Sequence, residues 1–153
     1  MDSAIKGKDA VLCALGGSGL VSPGDICTVG TKAIIASMKR TDVRRLIVLS
    51  AYGVPQSNRD LLPWFLKVLL YNVLLDKDTQ EAEVIASGLD YTIVRPPRLL
   101  DKAPKGEYAV VLSGKTPTGE IARADVATFM LRCLDNDEYV GQAPHISWKK
   151  EVK

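Results

Sequence analysis

A chain of 153 residues is about one domain, and its 46% apolar content is that of an ordinary globular protein able to bury a core. Twenty Lys and Arg against 18 Asp and Glu give a net charge of +2, mixed along the chain, so neither nucleic acid nor an anionic membrane is expected as the main partner. The widely spaced Cys13, Cys27 and Cys133 have no CxxC pairing and His145 is the single histidine, which leaves little from which to build a zinc site or a Ser-His-Asp triad, and no metal is expected.

Each cysteine sits in an apolar pattern, as reduced core thiols of a cytosolic protein do. The opening Met-Asp-Ser-Ala-Ile-Lys has no signal-peptide core, and the apolar stretch from Leu61 to Leu75 is short and broken by Pro63, Lys67 and Asn72, so a cytoplasmic location is expected. Lys149, Lys150 and Lys153 read as a solvated tail.

In chain order, Asp9 to Leu15 is an almost continuous apolar run, the pattern of a strand buried on both faces. A helix is predicted next, with Ser22 as N-cap, Pro23 at the first helical position and Asp25 in the first turn. Its apolar face is predicted to carry Ile26, Val29, Ala33, Ile34, Ser37 and Met38. Arg45 to Ser50 is the second buried strand. A long helical region from about Asp60 to Ala86 follows, expected to bend or divide near Pro63 and near Asp76, and to end at a left-handed Gly88. Asp90 to Arg95 is the third strand, stopped by Pro96-Pro97. Short strands at Glu107 to Ser113 and Glu120 to Ala122 precede an amphipathic helix, Ala124 to Leu134, with Asp125 in its first turn. Three βα units in succession imply right-handed crossovers and a doubly wound parallel sheet in a single α/β domain spanning residues 1–153.

Such sheets bind ligands beyond the carboxyl ends of their strands, which selects the loops at Leu15-Gly16-Gly17, Ser50-Ala51-Tyr52 and Pro96-Pro97-Arg98. The glycine cluster after the first strand is a weak match to G-x-G-x-x-G, because Gly17 and Gly19 are followed at position 22 by Ser22. No acid stands about twenty residues on for a ribose hydroxyl; Lys39 and Arg40 lie there.

The segments EVIASGLDYTIVRPPRLL (Glu83 to Leu100) and EIARADVATFMLRCL (Glu120 to Leu134) resemble the C-terminal part of the atypical short-chain dehydrogenases/reductases of the NAD(P)H-binding group, and within it the flavin reductase (biliverdin reductase B) branch. The resemblance runs from Asp9 to about Gly141. It implies a partial Rossmann fold in which Asp9 to Leu15 corresponds to the fourth strand, so that about 60 residues of a preceding βαβαβ portion are missing, at roughly 30 per unit. In that arrangement an apolar strand becomes a free sheet edge, a possible route to homo-oligomers.

The resemblance implies an oxidoreductase using NADP or NAD to reduce a flavin or another flat small molecule. Leu15, Gly16 and Gly17 would let backbone run beside the adenosine ribose and diphosphate. Ser50 would hydrogen-bond near the nicotinamide ribose or the substrate, and Pro96-Pro97 would hold the carboxamide. Arg98 and Lys77 would stabilise developing negative charge, and Tyr52 and Trp64 would wall the substrate. Other roles stand beside these: Ser50 as a turn cap, Tyr52 and Trp64 as packing groups, Pro96-Pro97 as a strand stop, Arg98 as a solvated cation, and Lys77 as an exposed i+4 partner of Glu81. The functional alternative is a non-catalytic relative, either an NAD(P)-binding redox sensor like the NmrA type or a regulatory short form that associates with a partner.

Overall fold

The computed structural model describes residues 1–16, 24–54, 65, 71–113, 116 and 118–149. Three parallel strands form its main sheet: β1 (Ala10–Cys13), β2 (Arg45–Leu49) and β3 (Asp90–Val94), in that spatial order. The register is set with Val11 opposite Leu46 and Ile47 opposite Thr92. The helix α1 (Asp2–Ile5) precedes β1, α2 (Ile26–Thr41) joins β1 to β2, and α3 (Tyr71–Ile85) leads into β3. After β3 come β4 (Arg98–Leu100), β5 (Tyr108–Val111), β6 (Glu120–Ala122), α4 (Arg123–Asp135) and β7 (His145–Trp148). The short β4 and β6 pair in parallel, and β5 and β7 pair antiparallel.

The expected doubly wound α/β arrangement is present, and β2 shows why its sequence has almost no polar residue. Leu46 and Val48 face a cluster that contains Ile35 and Met38 of α2 and Val84 of α3. Ile47, between them, faces the opposite cluster of Val126, Phe129 and Met130 from α4. With alternate side chains buried on both faces, the period-2 signature of a half-exposed strand disappears. In β1 only one face is closed: Cys13 is buried, whereas Leu12, on the α4 side, is 41% exposed. Among the described residues β1 is the edge of this sheet.

Several helix boundaries and faces differ from the sequence expectation. The second helix begins at Ile26 with Asp25 in the N-cap position and without a side-chain cap of its own, so Asp25 is not in the first turn; Ser22 and Pro23 lie outside the described residues. Ile26 and Val29 point outward, 50% and 54% exposed, and the buried face carries Cys27, Thr28, Thr31, Ile35, Ser37 and Met38. The face is decided by what α2 meets, a neighbouring helix and α1, and small polar residues fit those contacts: Thr31 receives Gln80 Nε2 of α3 at 2.8 Å, and Ser37 donates to Asp2 of α1 at 2.6 Å.

The helix is not divided near Asp76; α3 runs unbroken from Tyr71 to Ile85, while Pro63 lies outside the described residues. Asp76 instead caps the other helix. Its carboxylate accepts the backbone N–H of Cys27 at 3.0 Å and of Thr28 at 2.9 Å, and the Thr28 hydroxyl at 2.7 Å. Partial burial pushes the Asp76 carboxyl up, but these hydrogen bonds outweigh it and hold the group below the usual carboxylate range. Replacing the cap, Asp76→Ala, is expected to cost about 1–2 kcal/mol, measured by urea unfolding.

Helix α3 ends as expected, with Gly88 left-handed at φ 71°, a conformation a side chain would strain. On the far side of the fold Asp125, in the first turn of α4, accepts Lys105 N and Gly106 N at 3.0 Å and Trp148 Nε1 at 2.7 Å, tying the loop before β5 and strand β7 to the helix. The strands β4 and β7 and the helix α1 were not expected from the sequence, being three or four residues long each. Arg98 consequently begins a strand rather than a loop, its N–H bonded to Gly119 O at 3.2 Å.

Candidate functional site

The carboxyl ends of β1, β2 and β3 lie side by side, and the backbone keeps their loops together. Ser50 N–H donates to Val94 O and Tyr52 N–H to Pro96 O, each at 2.8 Å, so the chain leaving β2 follows the chain leaving β3. The loop leaving β1 is joined to it by Lys77 of α3, which is buried. Its ammonium donates to Leu15 O at 2.8 Å, Leu49 O at 2.7 Å and Gln80 Oε1 at 3.0 Å, so all three N–H bonds are used. The exposed i+4 pairing with Glu81 is overturned: both residues face the sheet, with Lys77 6% exposed and Glu81 wholly enclosed.

Glu81 belongs to a second buried cluster. It receives the Ser50 hydroxyl on Oε1, and a forked contact from Arg95, whose Nε lies 3.0 Å from the same oxygen while Nη2 bonds Oε2. A fork of two N–H groups matches a carboxylate and holds it in one orientation. Next to Arg95 lies His145, at the start of β7. The two residues are bridged in parallel, with Ile146 N–H donating to Arg95 O at 3.3 Å, and the Tyr52 ring meets the imidazole edge-on at 5.3 Å. His145 is 1% exposed, and among the described residues its Nδ1 has no hydrogen-bond partner. Burial, with the Arg95 charge adding to it, lowers its pKa from 6.5 to about 4, so the ring is neutral at physiological pH.

The structure brings together Leu15, Ser50, Tyr52, Lys77 and Pro96. Gly16, next to Leu15, is exposed, and among the described residues nothing lies within 4 Å of where a side chain would begin. Pro97 is half-buried. Arg98 is exposed and opens β4. Gly17 and Trp64 lie outside the described residues. Sequence reasoning did not single out Glu81, Arg95 or His145. The available signals were an arginine closing an otherwise apolar strand and a carboxylate four residues after a lysine, both of which also describe a solvated surface. The three cysteines are unbridged and buried, as expected.

At the ends of the parallel strands the structure thus gathers a buried hydroxyl, a buried cation and exposed glycine backbone. Residues 1–137 match the family described as NAD(P)H-binding. The chain belongs to the NAD(P)H-binding family. An uncharacterised chloroplastic protein of Arabidopsis thaliana, At2g37660, is 30% identical over 135 residues, 84% of this chain and 40% of that protein. Among solved structures, the anaerobilin reductase ChuY of Escherichia coli O157:H7 superimposes with a TM-score of 0.80 at 22% identity, covering 99% of this chain and 69% of that one. A short-chain dehydrogenase/reductase of Veillonella parvula in complex with NADP gives a TM-score of 0.70 at 16% identity, over 99% and 70%. These likenesses establish the Rossmann-like fold. The chain spans less than half the length of the curated relatives it matches first. Among the described residues no helix is long and apolar enough to cross a membrane.

Proposed function

We propose that this chain carries the nicotinamide end of an NAD(P)H-dependent reductase whose substrate is a flavin or another flat small molecule, as in the biliverdin reductase B branch. The observation that carries the proposal is the buried Lys77 ammonium bonded to Leu15 O and Leu49 O, which fixes a cation and two loop backbones at the strand ends where open α/β sheets take their ligands. In this reading Gly16 and Gly17 run beside the adenosine ribose and diphosphate, and the Pro96-Pro97 backbone holds the carboxamide. Ser50 sits between nicotinamide ribose and substrate, and Tyr52 and Trp64 flank the substrate plane. The nicotinamide, when bound, supplies a hydride from C4. The protein aligns the two flat rings and keeps water from them. Arg98, or Lys77 through its charge alone because its three N–H bonds are engaged, stabilises the negative charge that develops on the acceptor.

The cofactor is NADP or NAD, and the ribose-phosphate preference lies with residues other than those gathered here. Three unbridged cysteines suit a reducing compartment, such as the cytoplasm. The test is a fluorescence titration of the purified chain with NADPH, followed by NADPH oxidation with FMN as acceptor. Saturable binding and turnover are expected, with kcat about tenfold lower in Arg98→Ala, in line with one exposed cation near developing charge. Unchanged turnover in that variant removes Arg98 from the mechanism. Binding without turnover favours a redox sensor instead, and no binding favours a regulatory short form or a plain fragment.

A further inference from the structure

A serine hydroxyl has a single hydrogen, and that of Ser50 is committed to Glu81 Oε1. Glu81 is wholly enclosed and its two oxygens also take Nε and Nη2 of Arg95, so it is held as a carboxylate, which accepts hydrogen bonds and donates none. The Ser50 N–H is likewise used, by Val94 O. What Ser50 retains is the lone pairs of Oγ. We propose that Glu81 is a positioning residue that fixes Ser50 as a hydrogen-bond acceptor, so that the substrate group meeting Ser50 carries an N–H or O–H.

The imide N–H of a flavin satisfies that requirement. A simple quinone, which offers only carbonyl oxygens, does not: for Ser50 to donate to it, the hydroxyl would have to turn away from a buried carboxylate and leave Glu81 short of a hydrogen bond. Lys77 does not substitute for it, because its three N–H bonds are engaged by Leu15, Leu49 and Gln80. The inference rests on the reductase reading above and narrows its substrate class: among flat acceptors, those with a donor at the edge that enters the strand ends.

The experiment compares FMN with menadione, a quinone without N–H or O–H, as acceptors for NADPH oxidation by the full chain. Ser50→Ala leaves the Arg95–Glu81 pair in place; any loss at the nicotinamide ribose is common to both acceptors, and the FMN-to-menadione ratio of kcat/KM is expected to fall about tenfold, a difference of the size one hydrogen bond makes. In the double variant Glu81→Leu with Arg95→Met the Ser50 hydroxyl hydrogen loses its acceptor and no buried charge is left unpaired, so the FMN-to-menadione ratio of kcat/KM is expected to move about tenfold toward menadione. A purely structural role for Glu81 would depress both substrates alike and leave the ratio unmoved. The proposal is overturned if Ser50→Ala lowers menadione turnover as much as FMN turnover, or if the ratio is the same in the Glu81→Leu, Arg95→Met double variant. Should the double variant fail to fold, Ser50→Ala decides alone. NADPH binding with turnover of both acceptors and a ratio insensitive to Ser50 overturns this inference and leaves the reductase reading standing. NADPH binding without turnover of either overturns it too, since no acceptor then meets Ser50, and absence of NADPH binding overturns both.

Discussion

Replacing Glu81 by leucine is expected to cost about 3–5 kcal/mol of folding stability, a large share of the 5–15 kcal/mol available to a domain. The substitution leaves the Arg95 guanidinium, 8% exposed, without its carboxylate, and removes the acceptor of the Ser50 hydroxyl. Most of the loss is the penalty of an uncompensated buried charge rather than the net worth of the pair, because bringing both charges out of water already offset much of their attraction. The double variant Glu81→Leu with Arg95→Met is therefore expected to recover to within about 1–2 kcal/mol of the parent. Urea unfolding of the two single variants and the double variant measures the cycle. A single-variant cost below about 1 kcal/mol would show that water reaches the pair. The pair is better understood as an orienting device for Ser50 than as a source of stability.

Acidification is expected to destabilise the fold through His145. Its folded pKa, about 4, lies below the value of 6.5 that it has when unfolded, so between these two the unfolded chain binds more protons and stability falls as the pH falls. From pH 6.5, where the unfolded histidine is already half protonated, to pH 5 the loss is about 1.6 kcal/mol, the slope approaching 1.4 kcal/mol per unit, and below pH 4 the full contribution is gone. The upper part of this window belongs to His145, the chain's single histidine. The carboxyls of Asp76 and Asp125, held below their usual range, add their own losses only at lower pH. For Asp125, burial pushes upward and the hydrogen bonds from Trp148, Lys105 and Gly106 outweigh it. Urea midpoints at several pH values, in the parent and in His145→Phe, provide the check: the variant's curve should be flat from pH 7 to pH 5. A variant as pH-sensitive as the parent would place the titration elsewhere.

The buried strands, the left-handed Gly88 and the α/β alternation were legible because each rests on a local pattern: continuous apolar runs, a turn residue, a change of period. Helix faces were less so. Ile26 and Val29 are apolar at helical spacing and nevertheless point outward, because α2 turns toward the groups that bond it, Asp76 and Gln80 on α3 and Asp2 on α1, and those lie 35 to 49 residues away in the chain. Periodicity reports that a helix has an apolar stripe, and tertiary contact decides which stripe is covered.

The same division holds at the candidate site. The sequence by itself placed Leu15, Ser50 and Pro96 at strand ends, since buried strands followed by glycine, serine or proline end in a predictable place. It could not distinguish a lysine and a glutamate on a solvated helix face from the same two residues enclosed, because the i+4 spacing is identical in both. Only the tertiary structure turned α3 toward the sheet. That set Lys77 between the carbonyls of Leu15 and Leu49, and closed Glu81 over Arg95 and Ser50 where no water competes for their hydrogen bonds.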